Sequence, residues 1–354
     1  MTPLASLLVE RIREGGPISV ADYMAECLLH PVHGYYTTRD PFGLGGDFTT
    51  APEISQMFGE MVGLALAQAW LDRGAPAAFT LAELGPGRGT LMADALRATR
   101  RVPGFHQAAQ LALVEASPVL RQRQAETLAR SPGPAPQWLD RVEDLPDAPL
   151  FLVANEFLDA LPIRQFQHGP DGWRERLVGL TDDKLSFGLS ARLPQVPDTP
   201  AFHSAPEGAL VEDCLPARLT VATVAARVAR TGGLALFIDY GDWRSQGDTL
   251  QALRSHAFDD PLAHPGQADL TAHVDFEPLA ALAPAHGYTT QGAFLERLGI
   301  AARAGRLAAN LTGAALESHL AALRRLTHRQ EMGSLFKVLA LTSTNAPLPP
   351  GFAP

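Results

Sequence analysis

The residues best suited to chemistry fall in three short runs. The first is Glu83-Leu-Gly-Pro-Gly-Arg-Gly-Thr-Leu, an acid followed by Gly85, Gly87 and Gly89. Glycine lets a ligand approach the main chain closely, and a helix opening after such a turn offers unpaired N–H groups. The dinucleotide pattern G-x-G-x-x-G fails at Thr90, and the Gly-Lys-Ser/Thr of a phosphate loop is absent. A carboxylate at Glu83 repels a pyrophosphate and attracts an ammonium. S-adenosylmethionine carries an ammonium, a carboxylate and a sulfonium but no phosphate, so the motif favours that cofactor. The plainer reading of the same residues is an ordinary glycine turn between a strand and a helix.

The second run, Leu111-Ala-Leu-Val-Glu115, is apolar and ends in an acid. Glu115 lies near the offset at which a second-strand acid meets ribose hydroxyls in dinucleotide folds. Asp140 or Asp144, after the third strand, could face the adenine; the sequence does not say which, if either. The third run is Val153-Ala-Asn-Glu-Phe-Leu-Asp-Ala-Leu-Pro. In open parallel sheets ligands bind beyond the strand carboxyl ends near the switch point, which places Asn155, Glu156 and Asp159 where an acceptor would sit. If the segment were helical, Glu156 and Asp159 would share a face. Acids favoured by a helix dipole are the plainer reading.

The elements that must position these residues follow from periodicity and turn signals. Strands are expected at 79–83, 111–115, 136–139, 150–155, from Gly233 to Gly241, and at 335–341. Helices are expected at 55–71, 89–100, 117–130, 216–230, 276–286, 291–299, 301–309 and 313–328. Residues 163–191 alternate and are punctuated by Gly-Pro-Asp-Gly and Thr-Asp-Asp-Lys, which predicts an inserted antiparallel meander. The insertion, taken as 163–215, is expected to help dock a macromolecular partner through the Gly169–Gly172 turn and the face of Trp173. Residues 46–53 read as a lid, with Phe48, Thr49 and Thr50 folding over the ligand. His30 and His33 read as loop hydrogen-bonders.

With 354 residues, 46% hydrophobic and 19% charged, the chain has the composition of an ordinary globular protein. A net charge of −9 argues against a nonspecific nucleic-acid binder. Two distant cysteines, Cys27 and Cys214, give neither a disulfide framework nor zinc spacing. No metal, signal peptide or membrane span is expected.

Several longer runs carry a family resemblance. They are Gly46-Asp-Phe-Thr-Thr-Ala-Pro-Glu-Ile-Ser-Gln, the glycine turn, the run from Val153, Ile238-Asp-Tyr-Gly, Asp269-Leu-Thr-Ala-His-Val-Asp-Phe and Met332-Gly-Ser-Leu-Phe-Lys-Val-Leu. Together these resemble the MidA-type methyltransferases, from about Ile18 to Leu341. Mitochondrial members of that family are protein arginine methyltransferases that assist assembly of respiratory complex I. The resemblance implies an α/β, Rossmann-like class I S-adenosylmethionine-dependent methyltransferase fold. Its seven-stranded sheet would have the order 3-2-1-4-5-7-6, with an N-terminal helical cover and an inserted antiparallel β element. The expected division is a cover and lid over 1–75, a core over 76–345 and a tail over 346–354. Bound cofactor would touch Glu83, Gly85, Gly87, Gly89 and Thr50, with Glu115 on the ribose. Asn155, Glu156 and Asp159 would serve the acceptor, an arginine of a protein substrate such as a respiratory-complex subunit. A bacterial cytoplasmic location is expected. The rival readings are a methyltransferase for a small molecule, a non-catalytic assembly protein on the same scaffold and, more distantly, a nicotinamide oxidoreductase.

Overall fold

The computed structural model describes residues 1–38 and 50–353. It divides into two compact units. One is built from the described residues of Met1–Phe48, Asp159–Leu219 and Trp243–Pro278, the other from those of Thr49–Leu158, Thr220–Asp242 and Leu279–Pro354. A contiguous helical cover over 1–75 is therefore not what forms. Helix α1, Gln56–Asp72, packs into the second unit because 12 of its 17 residues are buried there, and an apolar surface that wide has to be covered.

The second unit contributes seven strands to an eight-stranded sheet. The seven are β1 (Phe79–Leu84), β2 (Ala109–Val114), β3 (Pro136–Leu139), β4 (Leu150–Asn155), β5 (Gly233–Asp242), β6 (Ala285–Thr290) and β7 (Phe336–Thr342). The spatial order is β3-β2-β1-β4-β5-β7-β6, the expected 3-2-1-4-5-7-6. β1 to β5 run parallel, and β7 is antiparallel to both β5 and β6. Every residue of β1, β4 and β7 is buried, as central strands covered on both faces require.

One expectation fails here. The helix expected over 276–286 stops at Ala280, and Ala285-His-Gly-Tyr-Thr-Thr forms β6. At this edge β6 pairs with β7 alone, its residues are mostly half-buried, and only Tyr288, Thr289 and Thr290 favour a strand. The pairing partner, 50 residues downstream, decides the conformation.

Helix α2, Thr90–Thr99, opens at Gly89 and packs against α1. The two approach closely because α1 presents Gly59 and Gly63 at the contact. A Cβ on Gly63 would lie 2.6 Å from the Ala95 Cα. Gly63→Ala is therefore expected to cost about 1–3 kcal/mol by overpacking, read as a lowered denaturation midpoint. An unchanged midpoint would show that the helices separate freely.

In the first unit the meander forms as expected, with antiparallel strands Arg164–Gly169, Gly172–Thr181 and Lys184–Arg192. Asp182 and Asp183, both at positive φ, make the two-residue turn of the second hairpin. Trp173 is less available than expected. Its ring stacks on His168 at 4.5 Å and meets Phe202 at 5.0 Å, over a small core of Phe166, Phe202 and Val211. The aromatic alternation of the insertion thus builds a local core. His30 Nδ1 accepts the N–H groups of Val32 and His33, the loop role expected of it.

Candidate active site

The glycine turn joins β1 to α2. Gly85, Gly87 and Gly89 have φ of 59°, 54° and 81°, a left-handed run that side chains oppose. A Cβ on Gly85 would also strike Phe157 Cδ2 at 2.7 Å. The N-cap residue of α2 is Gly89, which has no side chain to accept the first N–H groups of the helix.

Glu83, at the end of β1, is 3% exposed, and its Oε2 has no hydrogen-bond partner among the described residues. Burial, and then the charge of Glu115, push its pKa well above the ordinary carboxylate range. Asn155 Oδ1, at the end of β4, is likewise buried without a partner. Two buried acceptors of this kind fit a ligand that brings donors and positive charge. They fit a pyrophosphate badly.

Glu115 lies just beyond β2. Its Oε1 accepts Ser117 N–H at 2.8 Å and its Oε2 accepts Gln124 Nε2 at 3.1 Å. Burial pushes its pKa up, and those bonds pull the other way. Gln124 stands on helix α3, Pro118–Leu128, and is completely buried. The same amide donates to Gly87 O at 2.8 Å and accepts from Trp138 Nε1 on β3 at 2.9 Å. One side chain thus ties the glycine turn, the Glu115 carboxylate and β3 together. Sequence reasoning missed it. The available signal was its place between Leu120 and Leu128 on the buried stripe of α3, at i, i+4, i+8. Asp140 is exposed and bonded to Arg121 at 2.5 Å, and Asp144 is exposed on a short 3-10 turn.

After β4 no helix forms, so the shared helical face proposed for Glu156 and Asp159 does not exist. The two residues fall in different units. In the first unit the Asp159 carboxylate acts on the Tyr36 phenol, which donates to both oxygens of Asp269 at 3.0 and 2.9 Å. Glu156 instead adopts a left-handed conformation with φ of 51°. Among the described non-glycine residues with positive φ, the others lie in hairpin turns or just past a helix end. Strain of this kind costs about 1–3 kcal/mol and persists only where its surroundings enforce it. The enforcement is visible. Glu156 N–H donates to Ile238 O at 2.9 Å, and Asp239 Oδ2 accepts the N–H groups of Phe157 and Leu158 at 3.1 and 2.9 Å.

The Glu156 carboxyl is held just as firmly. Its Oε1 accepts Ala51 N–H at 2.9 Å and Asn155 Nδ2 at 3.0 Å. Its Oε2 takes no hydrogen bond from the described residues. Burial raises its pKa, while these bonds and the charge of Arg325 lower it. Thr50 opens the short helix Ala51–Ile54, which thereby reaches Glu156. Glu53 in that helix accepts Thr90 Oγ1 at 2.6 Å and lies 3.7 Å from Arg88. The described end of the expected lid, Thr50 to Glu53, is thus fastened to both the glycine turn and Glu156. Phe48, Thr49 and the rest of 46–49 lie outside the described residues. Among the described residues no cluster of His, Cys, Asp and Glu could hold a metal ion, and no helix is long and apolar enough to cross a membrane.

Residues 61–294 match the family described as S-adenosyl-L-methionine-dependent methyltransferases. This chain belongs to that family. The fruit-fly (Drosophila melanogaster) homolog of the mitochondrial protein arginine methyltransferase NDUFAF7 is 36% identical over 96% of this chain and 84% of its own length. The human protein of that name is 38% identical over 86% and 75%. A superfamily member from Burkholderia thailandensis, solved with S-adenosyl-homocysteine bound, superposes with a TM-score of 0.85 at 33% identity, covering 99% of this chain and 94% of the other. A native structure from the same organism gives 0.79 at 32%, with the same coverage.

The methyltransferase fold, the enzyme class and the S-adenosylmethionine cofactor expected from the sequence are therefore established. The expected bacterial cytoplasmic location is overturned, because these curated relatives are named as mitochondrial proteins.

The orphaned acceptors and the glycine cradle fit this cofactor, and two expectations follow. Glu115→Ala should weaken S-adenosyl-homocysteine binding about tenfold or more, since each hydrogen bond to a charged group contributes about 1.5–3 kcal/mol. Unaltered affinity in calorimetry would move the ribose contact elsewhere. Binding should also release protons. Below its raised pKa Glu83 is protonated in the free protein, and a bound ammonium favours the carboxylate. The sign for stability is the reverse of a salt-bridged acid. Glu83 stabilises the free protein below its unfolded pKa, and that contribution is lost as pH rises toward the folded value. Titrations in buffers of differing ionisation enthalpy measure the release. Heats independent of buffer would place the ammonium elsewhere.

Proposed function

We propose that this chain methylates arginine side chains of a protein substrate, with Glu156 binding the acceptor guanidinium and Asn155 orienting it. The observation that carries the reading is the Glu156 carboxyl itself. It stands at the carboxyl end of β4, one oxygen fixed and the other taking no hydrogen bond from the described residues, on a backbone held in a strained conformation. The arginine methyltransferase names of the relatives support the choice of acceptor.

Bound S-adenosylmethionine supplies a methyl group on a sulfonium, and a nitrogen displaces it in line as the carbon–sulfur electron pair returns to sulfur. An arginine acceptor stays protonated, so a carboxylate must grip the guanidinium and concentrate its reactivity on one nitrogen. Glu156 Oε2 receives an N–H from it. As the new nitrogen–carbon bond forms, the departing proton passes to that oxygen, a transfer helped by the upward pressure of burial on its pKa. Glu83 holds the cofactor ammonium, Glu115 holds the ribose, and the glycines admit the ligand to the main chain. Thr50 and the helix it opens hold one wall of the site and help exclude water.

Among protein substrates, a respiratory-complex subunit is the first to assay, on the strength of the family resemblance. The test is transfer of labelled methyl from S-adenosylmethionine, followed by mass spectrometry of methyl-arginine peptides from cells with and without the protein. Label in the protein fraction, on arginines that lose methylation in deficient cells, supports the reading. Label only in small molecules overturns it.

A further inference from the structure

Outside the catalytic centre the second unit gathers five arginines around one cavity of about 550 Å³. Arg97, Arg100 and Arg101 come from the C-terminal end of α2 and just beyond, and Arg303 and Arg306 from the helix Ile300–Ala308. Glu60 of α1, 3% exposed, forms the floor. Arg303 bonds it at 2.6 and 2.8 Å and Arg97 at 3.0 Å. Arg97 also meets Asp94 at 2.6 Å. Arg100, Arg101 and Arg306 are exposed and make no ion pair with any described residue. Five guanidiniums against two carboxylates leave an excess of three positive charges, on a chain whose net charge is −9.

We propose that this groove docks an acidic segment of the protein that is methylated. The proposal rests on the reading of the acceptor as a protein. Glu60 already displays the recognition chemistry, a carboxylate gripped by two guanidiniums. The end of α2 presents carbonyl oxygens, so a small bare anion finds no main-chain donors there. The arginine tips reach beyond them to groups on an extended ligand. Met61 and Leu64 line the same cavity, and Leu64 is 40% exposed. Carboxylates beside an apolar side chain suit that lining better than a phosphodiester backbone does. Placed away from the glycine turn, the groove would select and hold a partner without touching the reacting atoms, raising association through charge complementarity.

The test uses the full chain, a fluorescein-labelled Glu-Glu-Leu-Asp-Glu-Leu peptide and fluorescence anisotropy at low salt. The wild type should bind the peptide, and added salt should weaken the binding. The triple variant Arg100→Glu, Arg101→Glu, Arg306→Glu should bind about tenfold or more weakly while its S-adenosyl-homocysteine affinity, measured by calorimetry, stays at the wild-type value. Equal peptide binding by wild type and triple variant overturns the proposal. So does displacement of the peptide by equimolar inorganic phosphate, or tighter binding of a single-stranded oligonucleotide than of the peptide. Failure of the arginine reading shows separately, as label confined to small molecules, whatever the peptide does.

Discussion

Glu156→Gln should cut methyl transfer roughly 100-fold or more while leaving S-adenosyl-homocysteine affinity unchanged. The size follows from removing electrostatic stabilisation of about 2.7–4 kcal/mol at the reacting centre. The geometry makes this substitution informative. A glutamine keeps a carbonyl oxygen able to accept the Ala51 and Asn155 bonds now made by Oε1. It loses the charge at Oε2 and the capacity to take a proton there. Glu156→Ala, by contrast, also strands the Ala51 N–H and should lower the denaturation midpoint. The competing account treats Glu156 as an anchor for the segment beginning at Ala51. It expects the glutamine variant to turn over normally and only the alanine variant to suffer. A glutamine variant with wild-type transfer would decide for that account.

Gly87→Val should abolish cofactor binding, a loss of more than about 100-fold in S-adenosyl-homocysteine affinity, or roughly 2.7 kcal/mol. Gly87 has φ of 54°, a region in which a β-branched residue is a genuine outlier. Its carbonyl is held by Gln124, so the turn cannot relax without giving up the amide that also reaches Glu115 and Trp138. Either the valine stands in the ligand's approach or the turn moves away from it. Calorimetry showing wild-type affinity for a folded variant would remove the glycine turn from the binding site.

Much of this was legible because it rests on local patterns. The burial of β1 and β4, the glycine turn and the paired acids at strand ends could be read from residue type and spacing. The strand order came from the family resemblance. What escaped depends on distant partners. β6 exists because β7 pairs with it, and nothing in Ala285-His-Gly announces that. The left-handed Glu156 is enforced by Ile238 and Asp239, more than 80 residues away in sequence, and the condition of a helix after β4 is not met. Gln124 sits in a run of polar residues, and its burial is set by Gly87, Glu115 and Trp138 from other elements. Asp239 stands in the run Ile238-Asp-Tyr-Gly that carries the family resemblance, but its local sequence assigns it no partner. Its three main-chain bonds, to Tyr240, Phe157 and Leu158, belong to the fold and leave no mark in local sequence.

The position of β7 bears on how the protein is made. Of these seven strands β7 is synthesised last, yet it lies inside the sheet, between β5 and β6. Until Phe336–Thr342 has been translated, β5 has no neighbour on that side and β6 has no partner in this sheet. The nascent chain must therefore wait with an open, strongly apolar sheet edge, a state that invites association with other chains. A product cut short before Phe336 loses an interior strand, and with it the closure of the sheet. Demand for chaperones during synthesis, and clearance of incomplete products by proteases, should both concentrate on this final segment.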